Sequence, residues 1–400
     1  MSFFASVEMA PGDPILGLTE TFVADTRPGK INLGVGIYVD EQGHVPLLRS
    51  VYEVEKALAS AAKPRGYLPI DGMPAYNQLT QQQLFGLGSS VLEAGRVATA
   101  QTVGGSGALR VAADLLKQVQ GSSGKVAISS PSWGNHHVIF RTAGFELLDY
   151  RYYDEASHGL DFAGMLADLG KLEPGTVVLL HACCHNPTGV DLDAAQWAQT
   201  IELLKERQLL PFVDLAYQGF DQGLDADATA VRLLAASGIE AFVVANSYSK
   251  SFSLYGERVG ALSMVAANRD EAARVLSKIK QTIRANYSSP STHGAALVAG
   301  VLGSTELRAQ WEQELGEMRS RIHAMRAGMV ERLAAHGATQ FAFIQSQAGM
   351  FSYSGLSKAQ VHRLRNEYAI YALDSGRICV AALNRDNLET VAAAVATVSR

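Results

Sequence analysis

Lys250 is the residue most suited to chemistry. It follows the apolar run Val243–Ala245 and stands in Asn246-Ser247-Tyr248-Ser249-Lys250-Ser251-Phe252, with Arg258 eight residues further on. A lysine aimed into an interior is costly unless its amine is used, and such an amine can form a Schiff base with a carbonyl compound. The hydroxyls of Ser247 and Ser249 and the planar N–H fork of Arg258 suit a phosphate. An amine for an aldehyde beside donors for a phosphate suggests pyridoxal phosphate. Taken alone, the stretch also suits a surface lysine in a polar loop.

Other polar residues gather at comparable places. Gly104-Gly105-Ser106-Gly107 opens a helical pattern, and free N–H groups at a helix start make an anion site. The spacing matches neither the dinucleotide fingerprint nor a Walker loop. Short apolar runs at Val126–Ser129, Val177–Leu180, Pro211–Val213 and Phe242–Ala245 precede Trp133, Asn186, Asp214 with Tyr217, and Lys250 respectively, and Gly260–Val265 is a further run. Continuous apolar strands alternating with helical segments such as Leu192–Glu206 predict an α/β fold with a mainly parallel sheet covered on both faces. In such sheets the ligand lies beyond the carboxyl ends of the strands, where all these polar residues fall.

Elsewhere the signals are weaker. Ile31–Tyr38 is apolar but broken by Gly34 and Gly36; it reads as close backbone approach to a ligand or as a bulged edge strand. Residues 50–62 predict an amphipathic helix, residues 304–335 a long charge-rich one, and Pro11 to Pro14 an extended N-terminal arm. Tyr67, in Gly66-Tyr67-Leu68-Pro69, is a loop tyrosine that could simply be packed. His181, Cys183, Cys184 and His185 suggest metal ligands, but neighbouring strand residues face opposite ways and no second ligand cluster exists, so no metal is expected. No Gly-x-Ser-x-Gly elbow supports a serine hydrolase.

Composition bounds the class. Four hundred residues exceed one simple core, 48% are hydrophobic and 18% charged, and the net charge is −5. A globular chain with two domains is expected. No basic block points to nucleic acid, and no apolar run approaches the roughly 20 residues of a membrane helix. The N-terminal residues lack the features of a secretory signal or transit peptide, and three cysteines, two of them adjacent, make no disulfide framework. A cytoplasmic location is expected.

The motifs Gly-Tyr-Leu-Pro-Ile-Asp-Gly (66–72), Gly-Gly-Ser-Gly-Ala-Leu-Arg (104–110), His-Asn-Pro-Thr-Gly (185–189), Ser-Tyr-Ser-Lys-Ser-Phe (247–252), Ile-Arg-Ala-Asn-Tyr-Ser (283–288) and Ser-Gly-Arg (375–377) occur in that order. Together they resemble the class I aminotransferases of the aspartate and aromatic amino acid subgroup, from end to end of the chain. The resemblance implies a fold-type I architecture: a large cofactor domain over residues 46–309 with a seven-stranded sheet, a small α/β domain from residues 13–45 and 310–400, and residues 1–12 as an arm to a partner subunit. It implies a homodimer with shared active sites. Lys250 would carry pyridoxal phosphate, and Asp214 would pair with the ring nitrogen, with His136 and His181 behind it. Asn186 and Tyr217 would hydrogen-bond the ring's phenolic oxygen, and Trp133 would stack on the ring. Gly105, Ser106, Ser247, Ser249 and Arg258 would hold the phosphate, joined by Tyr67 of the other subunit. Arg377, with the Gly36 backbone alongside, would clamp the substrate α-carboxylate. Arg284 of the neighbouring subunit would meet a side-chain carboxylate, on the argument that a buried arginine needs an anion.

The implied reaction is a ping-pong transamination in which the freed Lys250 amine moves the α-proton. Aspartate enzymes typically have lysine where this chain has Val39, and threonine at Val45 and Ser106; Ser289 stands for their asparagine. With Ile37, these positions remove polar groups and add room, favouring an aromatic side chain. Retention of Arg284 predicts that dicarboxylates bind as well. The expected donors are phenylalanine, tyrosine and tryptophan, with 2-oxoglutarate as acceptor and aspartate turned over too. An aspartate aminotransferase is the nearest alternative. A lyase on the same cofactor would not need both Arg377 and Arg284, and a regulator on this fold would carry an added DNA-binding segment.

Overall fold

β-Branched and other apolar residues in short continuous runs form strands here because both sheet faces are buried. Val177 and Leu179 point into one apolar cluster while Val178 and Leu180 point into another; Phe212 and Val213 divide the same way, as do Val243 and Val244. The computed structural model describes residues 2–9, 12, 16–64 and 66–400. The expectations for Pro11, Asp13 and Pro14 fall outside the described residues. Residues 2–9 form no helix or strand, and Phe3, Phe4, Val7 and Met9 are exposed.

The main sheet has seven strands: β1 (Val97–Val103), β2 (Lys125–Ser130), β3 (Glu146–Arg151), β4 (Val177–His181), β5 (Leu210–Leu215), β6 (Phe242–Ser247) and β7 (Val259–Val265). Their order is β1-β7-β6-β5-β4-β2-β3. Only β7 runs antiparallel to its neighbours. The seven-stranded, mainly parallel sheet between helices is the α/β architecture expected. Helices α1 (Gly104–Gln120), α2 (Gly134–Thr142) and α4 (Arg269–Asn286) cover one face, whose cluster includes Leu109, Phe140 and Ile279. Helix α3 (Ala194–Glu206) covers the other through Trp197, Ile201 and Leu204. It starts at Asp193, whose carboxylate accepts from Gln196 N–H in a capping box.

The segment Ile31–Tyr38 pairs as a strand only at Ile31–Asn32, alongside Ile370–Tyr371. Beyond that the glycines admit close neighbours instead of pairing. A Cβ on Gly36 would sit 2.8 Å from Phe351 Cζ, so the chain here has room for no other residue without moving that ring.

The long helix α5 (Thr305–Ala335) begins at the Ser304 cap and packs against the helices Arg49–Ala61 and Arg385–Val398. Its charged composition hides two buried ionic side chains, Glu314 and Arg326. Glu314 accepts from the N–H groups of Arg49 and Ser50 (2.6 and 3.2 Å) and from Ser50 Oγ, so it closes the N-terminus of the first of those helices. No helix among the described residues is long and apolar enough to cross a membrane.

Candidate active site

At the carboxyl edge of the central strands lies a cavity of about 200 Å³. Gly36, Gly105, Ser106, Trp133, Asn186, Asp214, Tyr217, Ser247, Ser249, Lys250 and Arg258 all line it. Parallel strands aim their carboxyl ends to one side, so residues far apart in sequence converge there.

Asp214 sits near the end of β5, paired in register with His181 at the end of β4. His136 Nε2 lies 2.9 Å from Asp214 Oδ2. Ser132 Oγ lies 3.0 Å from His136 Nδ1 and 3.2 Å from His181 Nε2, and the Asn186 N–H donates to His181 Nδ1 at 3.4 Å. A carboxylate only accepts, so the directions follow one from another. Asn186 N–H donates to His181, His181 to Ser132, Ser132 to His136, and His136 to Asp214. Burial would raise the Asp214 carboxyl, but the hydrogen bond from His136, with the Lys250 amine nearby, outweighs it and holds the group below its ordinary value. His181 is pushed down to about 3 by burial and by its neighbour His136, so it stays neutral as this relay requires.

Lys250 lies in the turn after β6, its Nζ 4.9 Å from the centre of the Tyr217 ring. Burial, then the positive charges of Arg258 and Arg377, lower its amine to about 8 against the pull of Asp214. An amine so placed is partly neutral near physiological pH and can act as a nucleophile or base. Burial raises the Tyr217 phenol, which therefore stays protonated and can donate. The Asn186 amide nitrogen is 3.4 Å from Tyr217 Oη.

Helix α1 opens at Gly104, facing Arg258: the Gly104 N–H donates to the Arg258 carbonyl at 2.9 Å, and Arg258 Nη1 donates to Ser249 Oγ at 3.2 Å. A helix start, two serine hydroxyls on the β6 turn and a guanidinium surround one corner of the cavity. That donor set fits a phosphate, and the lysine amine across the cavity fits the aldehyde of the same molecule. A phosphorylated pyridine aldehyde therefore suits the residues present.

Arg377 heads the strand Arg377–Cys379 and is 2% exposed. Its Nη2 donates to the Gly34 carbonyl (2.7 Å) and its Nη1 to Asn186 Oδ1 (3.1 Å). Its Nε is buried without a protein partner, which leaves a donor for an incoming anion. Tyr67 is 96% exposed and outside the cavity. Arg284 is exposed on the last turn of α4, bonded to the Ser288 hydroxyl. The burial argument for an anion at Arg284 therefore does not hold within one chain.

Three contributors were not foreseen. Ser132 joins the two histidines; Tyr255 lines the cavity while its hydroxyl accepts from Tyr38 N–H at 2.8 Å. Asp191 accepts from the N–H groups of Cys184 and His185, shaping the loop that presents Asn186. Ser132 and Tyr255 lay beside residues singled out in the sequence, Trp133 and Arg258, whereas Asp191 did not. The four His and Cys residues of that loop are otherwise engaged: His185 bonds Ser129 and Thr188, and the cysteines are buried and free.

The family profile described as Aminotransferase class I and II matches residues 28–395. The chain belongs to the class I and II aminotransferases. Among relatives of this aminotransferase, an aspartate aminotransferase of Pseudomonas aeruginosa is 60% identical, with both chains covered in full. An aromatic-amino-acid aminotransferase of Escherichia coli is 49% identical over 99% of this chain and 100% of its own. In structure, the aromatic-amino-acid aminotransferase of Burkholderia pseudomallei, crystallised covalently bound to pyridoxal phosphate, superposes with a TM-score of 0.97 at 60% identity over the whole of both chains. A psychrophilic aromatic amino acid aminotransferase of Psychrobacter sp. B6, cocrystallised with aspartic acid, gives 0.97 at 44% identity, again over both chains in full.

Proposed function

We propose that this aminotransferase moves the amino group of phenylalanine, tyrosine and tryptophan to 2-oxoglutarate, with pyridoxal phosphate held at Lys250, and that it also turns over aspartate. The observation that carries the reading is the single cavity uniting a lysine amine lowered to about 8, an aspartate held anionic, and a phosphate-shaped donor cluster. The cofactor, when bound, supplies an aldehyde that exchanges lysine for substrate amine and a protonated ring that withdraws electrons from the α-carbon.

The protein's own residues do the rest. Asp214 holds a proton on the ring nitrogen because His136 keeps the carboxylate charged. Tyr217 and Asn186 would donate toward the ring oxygen, and Trp133 would cover the ring face. Lys250 Nζ, once released, would take up the α-proton and later give it back, which requires a neutral amine. Arg377 receives the α-carboxylate, so amino acid and oxo acid bind in one orientation and the two halves of the reaction use one site in turn.

Val39, Val45 and the small Ser106 and Ser289 favour an aromatic side chain through burial of ring area. The Psychrobacter relative, an aromatic enzyme crystallised with aspartic acid, supports acceptance of both substrate kinds. The aspartate reading rests on the Pseudomonas relative and on Arg284. We read the protein as a cytoplasmic homodimer in which Tyr67 and Arg284 complete the partner's site. The exposure of Tyr67, Val45, Leu47 and Tyr52 supports this. Residues 46–309 form the cofactor domain in this reading, and residues 13–45 with 310–400 the smaller one.

Purified protein given phenylalanine and 2-oxoglutarate should yield phenylpyruvate and glutamate with ping-pong kinetics. A kcat/KM favouring aspartate over phenylalanine by about a hundredfold, roughly 2.7 kcal/mol, would overturn the aromatic assignment. A bound cofactor that reacts with phenylalanine but yields no glutamate would point to a lyase.

A further inference from the structure

Arg326, midway along α5, is 2% exposed, yet its hydrogen bonds go to main-chain carbonyls rather than to a carboxylate. Nη2 donates to the carbonyls of Gly349 (2.5 Å) and Phe351 (3.1 Å), and Nη1 to that of Ile344 (3.5 Å), while Nε has no partner. Burial lowers the guanidinium to about 10, so it remains charged at physiological pH. A buried cation partnered only by carbonyls is a costly way to fill a core, since an apolar side chain of similar volume would be cheaper. What those carbonyls belong to gives the cost a purpose.

Phe351 opens the strand Phe351–Tyr353, which pairs antiparallel with Arg377–Cys379 in the register Phe351↔Cys379 and Tyr353↔Arg377. Its buried ring lies 4.1 Å from the guanidinium carbon of Arg377. The same ring meets Tyr217 edge-on with centres 5.7 Å apart, and it fills the space left by Gly36. Arg377 is thus fixed in the plane of its fork by Gly34 and Asn186 and across that plane by Phe351. A guanidinium binds a carboxylate through two parallel hydrogen bonds only if that plane is held.

We propose that Arg326 is a positioning residue for substrate: by gripping the Gly349 and Phe351 carbonyls it seats the Phe351 ring that sets the plane of Arg377. The proposal rests on the reading of Arg377 as the α-carboxylate fork. Every amino acid and oxo acid presents that carboxylate, so Arg326 controls affinity for all of them alike while standing outside the cavity. The effect belongs in KM and not in kcat, because Lys250 and Asp214 are untouched.

The test uses holoenzyme and the variants Arg326→Met, Arg326→Lys, Phe351→Leu and the Arg326→Met/Phe351→Leu double mutant. Binding of 3-phenylpropionate, a carboxylate with no amine to transfer, is measured by calorimetry. Arg326→Met should weaken it about tenfold, the scale of one charged hydrogen bond. Phenylalanine and aspartate KM should rise by that same factor, with kcat within about twofold and the cofactor absorbance unchanged. Arg326→Lys keeps the charge and loses the fork, so it should fall between Arg326→Met and wild type. In the Phe351→Leu background, Arg326→Met should add little, because the ring it works through is gone.

Unchanged 3-phenylpropionate affinity in Arg326→Met, or in Arg326→Lys should the former not fold, overturns the proposal even if thermal stability drops. So does the full tenfold loss persisting in the Phe351→Leu background. Wild-type protein that binds 3-phenylpropionate without transaminating would remove the proposed activity and leave the Arg326 measurement intact.

Discussion

Replacing Lys250 with methionine should make the apoprotein more stable, in a pH-dependent way. The side chain is partly buried beside the cavity, and burial lowers its amine from the ordinary 10.5 to about 8. At about 1.4 kcal/mol per pH unit, that drop corresponds to about 3 kcal/mol of destabilisation of the charged form. The side chain is only partly buried and lines the cavity, so its desolvation is incomplete and this is an upper value. In the unfolded chain Lys250 keeps its proton up to pH 10.5, whereas in the folded protein it releases it near 8. Between those values the unfolded state binds more protons, so wild-type stability rises with pH across this window and the penalty is fully present below it. Lys250→Met keeps most of the stem and cannot be charged. The variant should therefore exceed wild type by up to about 3 kcal/mol at pH 7, with the gap closing between pH 8 and 10.5. Urea unfolding of both apoproteins at matched concentration, at pH 7, 8, 9 and 10, reads the gap directly. A gap that is constant with pH, or wild type being the more stable at pH 7, would refute the claim that burial sets the amine's proton affinity.

Three further outcomes follow from named contacts. His136→Phe removes the donor to Asp214 and leaves burial to raise that carboxyl, so the acid limb of kcat/KM should move to higher pH; an unmoved limb would separate His136 from the acidity of Asp214. Arg284→Leu should cut kcat/KM for glutamate at least about tenfold more than for phenylalanine, one charge-assisted contact's worth, and equal losses would remove its assigned role. Gly260→Ala would place a Cβ 2.5 Å from the Gly104 carbonyl carbon and 2.7 Å from the Asn246 oxygen, both main-chain atoms. It should cost about 3 kcal/mol and disturb the phosphate corner, visible as a lower melting temperature and weaker cofactor retention, whereas wild-type values for both would contradict the tight packing of β7 against α1.

The strands that carry Asp214 and lead into Lys250 were legible because burial on both faces leaves continuous apolar runs, and the polar residue after each run marks the ligand side. The helices expected over residues 50–62, 192–206 and 304–335 start within two residues of those positions, at Arg49, Ala194 and Thr305. The relay through Ser132 was not legible: a serine four residues before His136 has many possible partners, and only the register of β4 against β5 brings His181 to it. Gly34 and Gly36 left two readings open, and the contacts of Leu18 and Phe351, distant in sequence, with the glycines' side-chain space were not among them. Arg326 is one of many charges in the charge-rich stretch 304–335, and nothing in its sequence sets it apart. Its burial depends on residues 344–351 folding over it, which no local pattern announces.

The central claim is that Lys250 is the covalent seat of pyridoxal phosphate. Borohydride reduction of the holoenzyme, proteolysis and mass spectrometry test it most directly. A phosphopyridoxyl adduct on the peptide containing Lys250, absent after prior incubation with phenylalanine, is the predicted result. An adduct on another lysine, or none on protein that retains the cofactor's absorbance, would contradict the account.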